Sequence, residues 1–258
     1  MKIIISPAKK MNVDTDSFDA KGLPEYLSET EAIMQAVQRL SLDEAKRLWK
    51  CNDKLAELNY ERFKNMNLCS GLTPAVFSYE GLQYQHMAPR VFTERALEYI
   101  QRHLRILSGF YGILKPFDGV VPYRLEMQAK LGVDGKKDLY EFWGSRLYDS
   151  LTKSRGGSEK MCGGNIIINL ASKEYFKTIE PYIKPCDRII TVDFLEETDS
   201  GLKSKGTLAK MARGEMVRFM AENCIEDIEQ IKNFDVMNFR YREELSDNSK
   251  FEFVLCRS

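Results

Sequence analysis

Apolar positions along the chain switch between two periods. Lys2–Ile5 carries three consecutive isoleucines ending at Ser6-Pro7, the pattern of a short buried strand. Residues 10–22 read as a loop. Over Glu25–Leu40 the apolar residues Leu27, Ile33, Ala36, Val37 and Leu40 recur at helical spacing. Ser41-Leu42-Asp43-Glu44 is a capping-box signal, which predicts a second helix running to about Trp49. Asp53–Phe63 predicts a third, with Leu55, Leu58 and Phe63 on its apolar side.

Ser70–Pro74 reads as a turn, followed by a strand over Ala75–Tyr79 that continues through Gly81–Gln85. Thr93 caps a helix expected to reach about Leu107, with Leu97, Ile100, Leu104 and Leu107 inward. Leu139–Leu151 has helical spacing, and Ser154–Gly164 is a polar, glycine-punctuated insertion. Asn165–Leu170, NIIINL, is a strong buried-strand signal, and Ser172 is placed to cap the helix after it. Arg188–Leu195 reads as a strand, Leu208–Asn223 as a helix, and Phe234–Tyr241 with Phe251–Cys256 as a terminal hairpin. Without a clean βαβ alternation, the expectation is an α+β fold: a mixed sheet with flanking helices in one domain spanning 1–258.

Composition narrows the function classes. Lys plus Arg and Asp plus Glu both total 38, so a nucleic-acid partner needs a local basic cleft and not a global field. Hydrophobic residues at 43% and charged residues at 29% exclude a disordered chain. The six cysteines are scattered without a C-x-x-C pair, which predicts reduced thiols in a cytosolic protein. With two histidines, His86 and His103, a histidine-rich metal site is hard to build, and no cofactor is expected. His103 falls on the apolar side of its helix and reads as core. MKIIISPAKK is no signal peptide, and no span of about 18 apolar residues suggests a membrane partner.

Four blocks carry candidate chemistry. In the first, Ile3–Lys9, a strand runs into a loop with a hydroxyl, Ser6, and a cation, Lys9, that suit a phosphate; a solvated turn explains the same pattern. In the second, Gly109 and Gly112 stand three apart in SGFYG, with Arg102, Arg105, Lys115 and Arg124 nearby. Such a turn can leave backbone N–H groups open to a phosphate oxygen, so residues 94–121 read as a helix–hairpin–helix. A packing corner is the alternative. Arg124 and Glu126 in PYRLEM share a face if extended, either as a cleft wall or as a scaffold ion pair. The third block, NLASKEY, places Asn169, Ser172, Glu174 and Tyr175 at a strand-to-helix junction, where a helix N-terminus attracts anions; a helix cap with Glu174 in the first turn explains the same pattern. The fourth, Lys203–Arg218, is the most basic stretch. There Lys210 and Arg213 share a helical face, and Gly214 suggests close approach of another backbone or a ligand; a solvated basic face is the alternative.

ISPAK, HLRILSGFYGILKPFDGVVPYRLEM, DLYEFWG, NLASKEYF and AKMARGEMVRFM occur here in the order seen in the YaaA family of peroxide-stress proteins, which the whole chain resembles. The resemblance implies a cytosolic bacterial protein that helps cells survive hydrogen peroxide by lowering unincorporated iron. It also implies sequence-independent binding of DNA, double-stranded in the simplest case, through a helix–hairpin–helix and a basic cleft on a YaaA-type fold. Ser6, Lys9, Arg124, Glu126, Asn169, Ser172, Lys210 and Arg213 fall within the matching motifs, and with Gly109 and Gly112 the nine of these other than Glu126 form the expected phosphate-binding set. An enzyme acting on a nucleotide or nucleobase is the competing reading, with Glu126 or Glu174 as the general base.

Overall fold

The computed structural model describes residues 1–153, 164–199 and 201–256. The polar run 154–163 therefore lies outside the described residues. The chain starts as expected with β1 (Lys2–Ile5), whose isoleucines are fully buried. Two small antiparallel pairs follow: β2 (Lys10–Met11) with β4 (Tyr79–Glu80), and β3 (Thr73–Pro74) with β7 (Gly119–Val120).

The first helices obey their local signals. They are α1 (Leu27–Gln38), α2 (Leu42–Trp49) and α3 (Asp53–Lys64). The capping box at α2 forms in full, with the Glu44 amide donating to the Ser41 side chain and the Ser41 amide to the Glu44 carboxylate. Helix α3 is rotated from its expected facing. Leu55 and Leu58 stay exposed, and Ala56, Asn59 and Phe63 turn inward. Phe63 takes that position by packing on Trp49 and Phe110.

Residues 75–87 correct the expected strands. They form α4 (Ala75–Ser78) and α5 (Leu82–Met87), interrupted only by β4. The aromatic-rich composition favours a strand locally. Tertiary contact decides otherwise, because α5 lies backbone-to-backbone against α10 (Gly206–Glu222). Gly214 makes that approach possible: a methyl group there would sit 2.2 Å from the Gln83 carbonyl oxygen.

The helix capped by Thr93, α6 (Glu94–His103), ends four residues earlier than expected, and Leu104–Ser108 is strand β5. Its Leu104 and Ile106 are apolar at helical and strand spacing alike, and pairing with β1 (Ile3 beside Leu104, Ile5 beside Ile106) settles the conformation. Strand β5 turns directly into β6 (Gly112–Leu114). Residues 94–121 are thus a helix followed by a β-hairpin, and the expected helix–hairpin–helix does not form. Beyond it, Gly144 at φ +51° divides the expected 139–151 helix into α7 (Leu139–Trp143) and α8 (Arg146–Thr152).

The main sheet runs β11-β12-β9-β8-β1-β5-β6, completed by β8 (Ile166–Leu170), β9 (Arg188–Thr198), β11 (Phe239–Tyr241) and β12 (Lys250–Leu255). Strands β12, β9, β8, β1 and β5 are parallel, and β11 and β6 add antiparallel edges. A short β10 (Gly201–Lys203) pairs with β9 off this path, and α9 (Lys173–Phe176) follows β8. The architecture is a mixed α/β layer structure with a mostly parallel sheet and flanking helices. The terminal hairpin is present in shortened form, since Phe239–Tyr241 is the part that pairs with β12. No helix among the described residues is long and apolar enough to cross a membrane.

Asp118 gives the fold a measurable pH signature. It closes the turn after β6 by accepting the Lys115 amide at 2.8 Å. Burial pushes its carboxyl up to about 6, against the partial compensation of that amide and the Lys115 charge. An acid whose pKa is raised in the fold favours folding below its unfolded pKa of 3.8, and this advantage is lost as pH rises to about 6. The change amounts to about 3 kcal/mol at most. Urea midpoints of the wild type should therefore fall, relative to Asp118→Asn, as pH is raised from about 4 to about 6. Parallel pH profiles for the two proteins would contradict the assignment.

Candidate functional site

The order of the parallel strands reverses at β1. The chain leaving β1 returns as β5 on one side, and the chain leaving β8 continues as β9 on the other. Open α/β sheets hold ligands in the crevice outside the strand ends at such a reversal. Here it falls between Ser6, the residue after β1, and Ser172, two residues after β8.

The two serines close on each other across that gap. Ser6 Oγ accepts the Ser172 amide at 2.9 Å and lies 3.2 Å from Ser172 Oγ. Ser172 occupies the N-cap position of α9, but its side chain makes no capping bond. The Tyr84 hydroxyl donates to the Ser6 carbonyl at 3.0 Å, so α5 anchors the loop from the other side. Asn169 is buried one step back in β8. Its Nδ2 donates to Thr191 Oγ1 and its Oδ1 accepts the Ala171 amide, which uses the amide group to shape the strand exit.

Charged groups line the outer wall. Lys9 Nζ meets Glu126 Oε1 at 2.7 Å. Glu174 accepts the Gln128 amide at 3.2 Å. Burial raises the Glu174 carboxyl above its ordinary value, with the Gln128 amide opposing and the Glu126 charge adding to the rise. Arg124 is half-buried, and its Nε is closed to solvent without a hydrogen-bond partner. The crevice therefore combines a cation, a free guanidinium, paired hydroxyls and two carboxylates in unequal surroundings. Among the described residues no three His, Cys, Asp or Glu side chains gather as a metal-ligand group.

Gly109 and Gly112 serve this site indirectly. Both are buried in the β5–β6 turn, where Ser108 Oγ accepts the Phe110 and Tyr111 amides. A methyl group on Gly109 would lie 2.9 Å from the backbone of Leu125 and Glu126. The absence of a side chain there allows the Arg124–Glu126 segment to pass close and present its charges. Gly112, at φ +72°, leaves room for the Trp143 ring, whose Nε1 donates to the Gly109 carbonyl at 3.1 Å. The turn is a packing device, with its neighbouring amides already satisfied.

The basic helix is placed differently from the other motifs. Lys210 is exposed on α10, whereas Arg213 turns onto β9, 4.0 Å from Asp193, and burial lowers its pKa. His103 is buried, as expected, and its Nδ1 lies 3.0 Å from the Met1 carbonyl. Sequence reasoning passed over Tyr84, which lay in a misread strand, and over Trp49 and Gln128. The apolar face of α2 is a visible signal for the burial of Trp49.

A mostly parallel sheet with flanking helices and a polar crevice at its strand ends defines an α/β protein with a candidate site at the Ser6–Ser172 junction. Residues 1–245 match the family described as peroxide stress protein YaaA. The chain is 52% identical over 254 residues to a UPF0246 protein of Pediococcus pentosaceus, with 98% of each chain covered. A UPF0246 protein of Agathobacter rectalis is 53% identical over 253 residues, again with 98% of each covered. One from Limosilactobacillus reuteri is 50% identical over the full length of both. The chain belongs to the YaaA family of peroxide-stress proteins, and that membership supports a role in peroxide stress.

Proposed function

We propose that this peroxide-stress protein binds the phosphate backbone of DNA without reading sequence, at the strand-end crevice, and so helps limit iron-dependent oxidative damage in the cytoplasm. The observation that carries the reading is the Ser6–Ser172 junction at the sheet reversal, flanked by Lys9 and the unpartnered Arg124. Lys210 supplies a further exposed cation on α10. The glycine turn is no part of this contact surface, because it is buried. Phosphate contacts of this kind release counterions, so affinity should fall steeply with salt and vary little among duplex sequences.

The test is anisotropy of a labelled duplex titrated with protein across a salt series. Lys9→Gln with Lys210→Gln should weaken binding about equally for all sequences and reduce the magnitude of the salt slope by about 1 to 2. No binding at low salt would remove the reading.

The polar chemistry favours a second reading, an enzyme acting on a nucleotide or nucleobase. Glu174 holds its proton more readily than an ordinary carboxyl, while Glu126 beside it is held by Lys9. Two carboxylates in unequal surroundings suit general acid and base roles. Turnover of a nucleotide that disappears in Glu174→Gln, with folding intact, would establish this alternative. A nucleotide panel left unchanged by the wild-type protein would count against it.

A further inference from the structure

At the opposite end of the sheet from the Ser6–Ser172 junction, where the parallel strands β9 and β12 begin, lies a pocket of about 260 Å³. Its apolar wall is the buried ring of Phe251 with Tyr241 against it, ring centroids 5.5 Å apart. Lys232 is fixed on that wall. Its ammonium lies 5.2 Å from the Tyr241 centroid and 5.3 Å from that of Phe251, and it meets Glu229 at 2.6 Å. Asp247 is tied into its own turn by the Ser249 amide and hydroxyl, each at 2.7 Å. Four other polar groups of the lining make no hydrogen bond or ion pair with another described residue: the Arg188 guanidinium, the Tyr241 hydroxyl, the Glu243 carboxylate and the Asn248 amide. Arg188 is half-buried at the first position of β9, where its backbone amide is held by the Asn165 carbonyl at 2.8 Å.

An unpaired guanidinium and an unpaired carboxylate in one pocket suit a ligand that carries both charges itself. A simple anion such as phosphate would face the carboxylates of Glu229, Glu243 and Asp247, and a polyamine would face Arg188 and Lys232. The volume falls below the roughly 300–1,000 Å³ of pockets for drug-sized ligands, so the occupant is a small metabolite. We propose that this pocket binds a free α-amino acid. Arg188 holds the carboxylate through two parallel N–H donors, and Glu243 accepts from the ammonium group. The ligand's side chain then lies against Tyr241 and Phe251, which favours an apolar or aromatic one. A basic side chain finds the position over the two rings already taken by Lys232. The pocket shares no residue with the Ser6–Ser172 crevice and rests on neither reading of it.

The test is calorimetric titration of the intact protein with glycine, L-leucine, L-phenylalanine and L-lysine, beside inorganic phosphate and spermidine. Leucine or phenylalanine should bind saturably and more tightly than glycine or lysine. Blocking either charge of the tighter ligand, by N-acetylation or by conversion of its carboxylate to the amide, should weaken binding by about tenfold to a hundredfold. Arg188→Gln should cost the unmodified ligand a similar factor and the amide derivative little. Glu243→Gln should do the same for the unmodified ligand and little to the N-acetyl derivative. Neither side chain is bonded to the rest of the described protein, so both variants should melt close to the wild type. The blocked ligands test the proposal on the wild type alone if a variant fails to fold. No binding of any of the four amino acids at about 10 mM would overturn the site. So would blocked ligands that bind as well as the parent, an affinity unchanged in both variants, or saturable binding of phosphate or spermidine in place of the amino acids.

Discussion

Gly112→Ala is expected to destabilise the protein by about 2–5 kcal/mol, lowering the melting temperature by roughly 5–15 °C. Two costs combine. At φ +72° the backbone lies in the left-handed region, which an L side chain enters at about 1–2 kcal/mol. The added methyl would also lie 2.7 Å from the Trp143 ring, which the hydrogen bond to Gly109 holds in place. Overpacking of this kind adds about 1–3 kcal/mol. Thermal melts of the two proteins measure the sum, and a shift below about 2 °C would mean that the turn tolerates a side chain. The result also governs how glycine variants of this turn are interpreted. Any loss of ligand binding in a Gly109 variant would report displacement of the Leu125–Met127 backbone, which the added methyl would meet, and in a Gly112 variant displacement of Trp143, because the turn is sealed inside the protein.

Gly214→Ala should lower the melting temperature by roughly 4–8 °C, for a cost of about 2 kcal/mol. On an isolated helix the same change would stabilise, by about 0.5–1 kcal/mol. Tertiary geometry reverses the sign, since the methyl would lie 2.2 Å from the Gln83 carbonyl oxygen and 2.9 Å from the Met87 amide nitrogen. The two helices must then separate, straining the hydrogen bond between His86 Nδ1 and Glu215 Oε1 at 2.9 Å. Tyr84 moves with α5, so the loop at Ser6 loses part of its anchor. Weaker ligand binding at the crevice should accompany the lower melting temperature. An unchanged or higher melting temperature would show that α5 and α10 are not in backbone contact.

The local signals that survived folding are those in which one short segment contains its own answer. The Ser41–Glu44 capping box, the isoleucine strands at Lys2–Ile5 and Ile166–Leu170, and the close approach implied by Gly214 were legible because capping geometry, complete burial and the lack of a side chain act within a few residues. Membership of the YaaA family was legible for a similar reason, as a set of ordered motifs.

Leu104–Ser108 and Leu82–Met87 could not be settled in the same way. Their apolar residues fit either period, and the choice fell to partners distant in sequence: β1 for the first, α10 for the second. That choice turned an expected helix–hairpin–helix into a β-hairpin and moved the glycines from a surface clamp to a buried turn. The site followed the same division. Its chemical types stood in the sequence as Ser6, Lys9, Arg124, Glu126, Ser172 and Glu174. Their grouping at one sheet reversal and the withdrawal of Arg213 to β9 came from the topology alone. Strand order places residues more than a hundred positions apart within hydrogen-bonding distance, as between Ser6 and Ser172, and no local pattern encodes that distance.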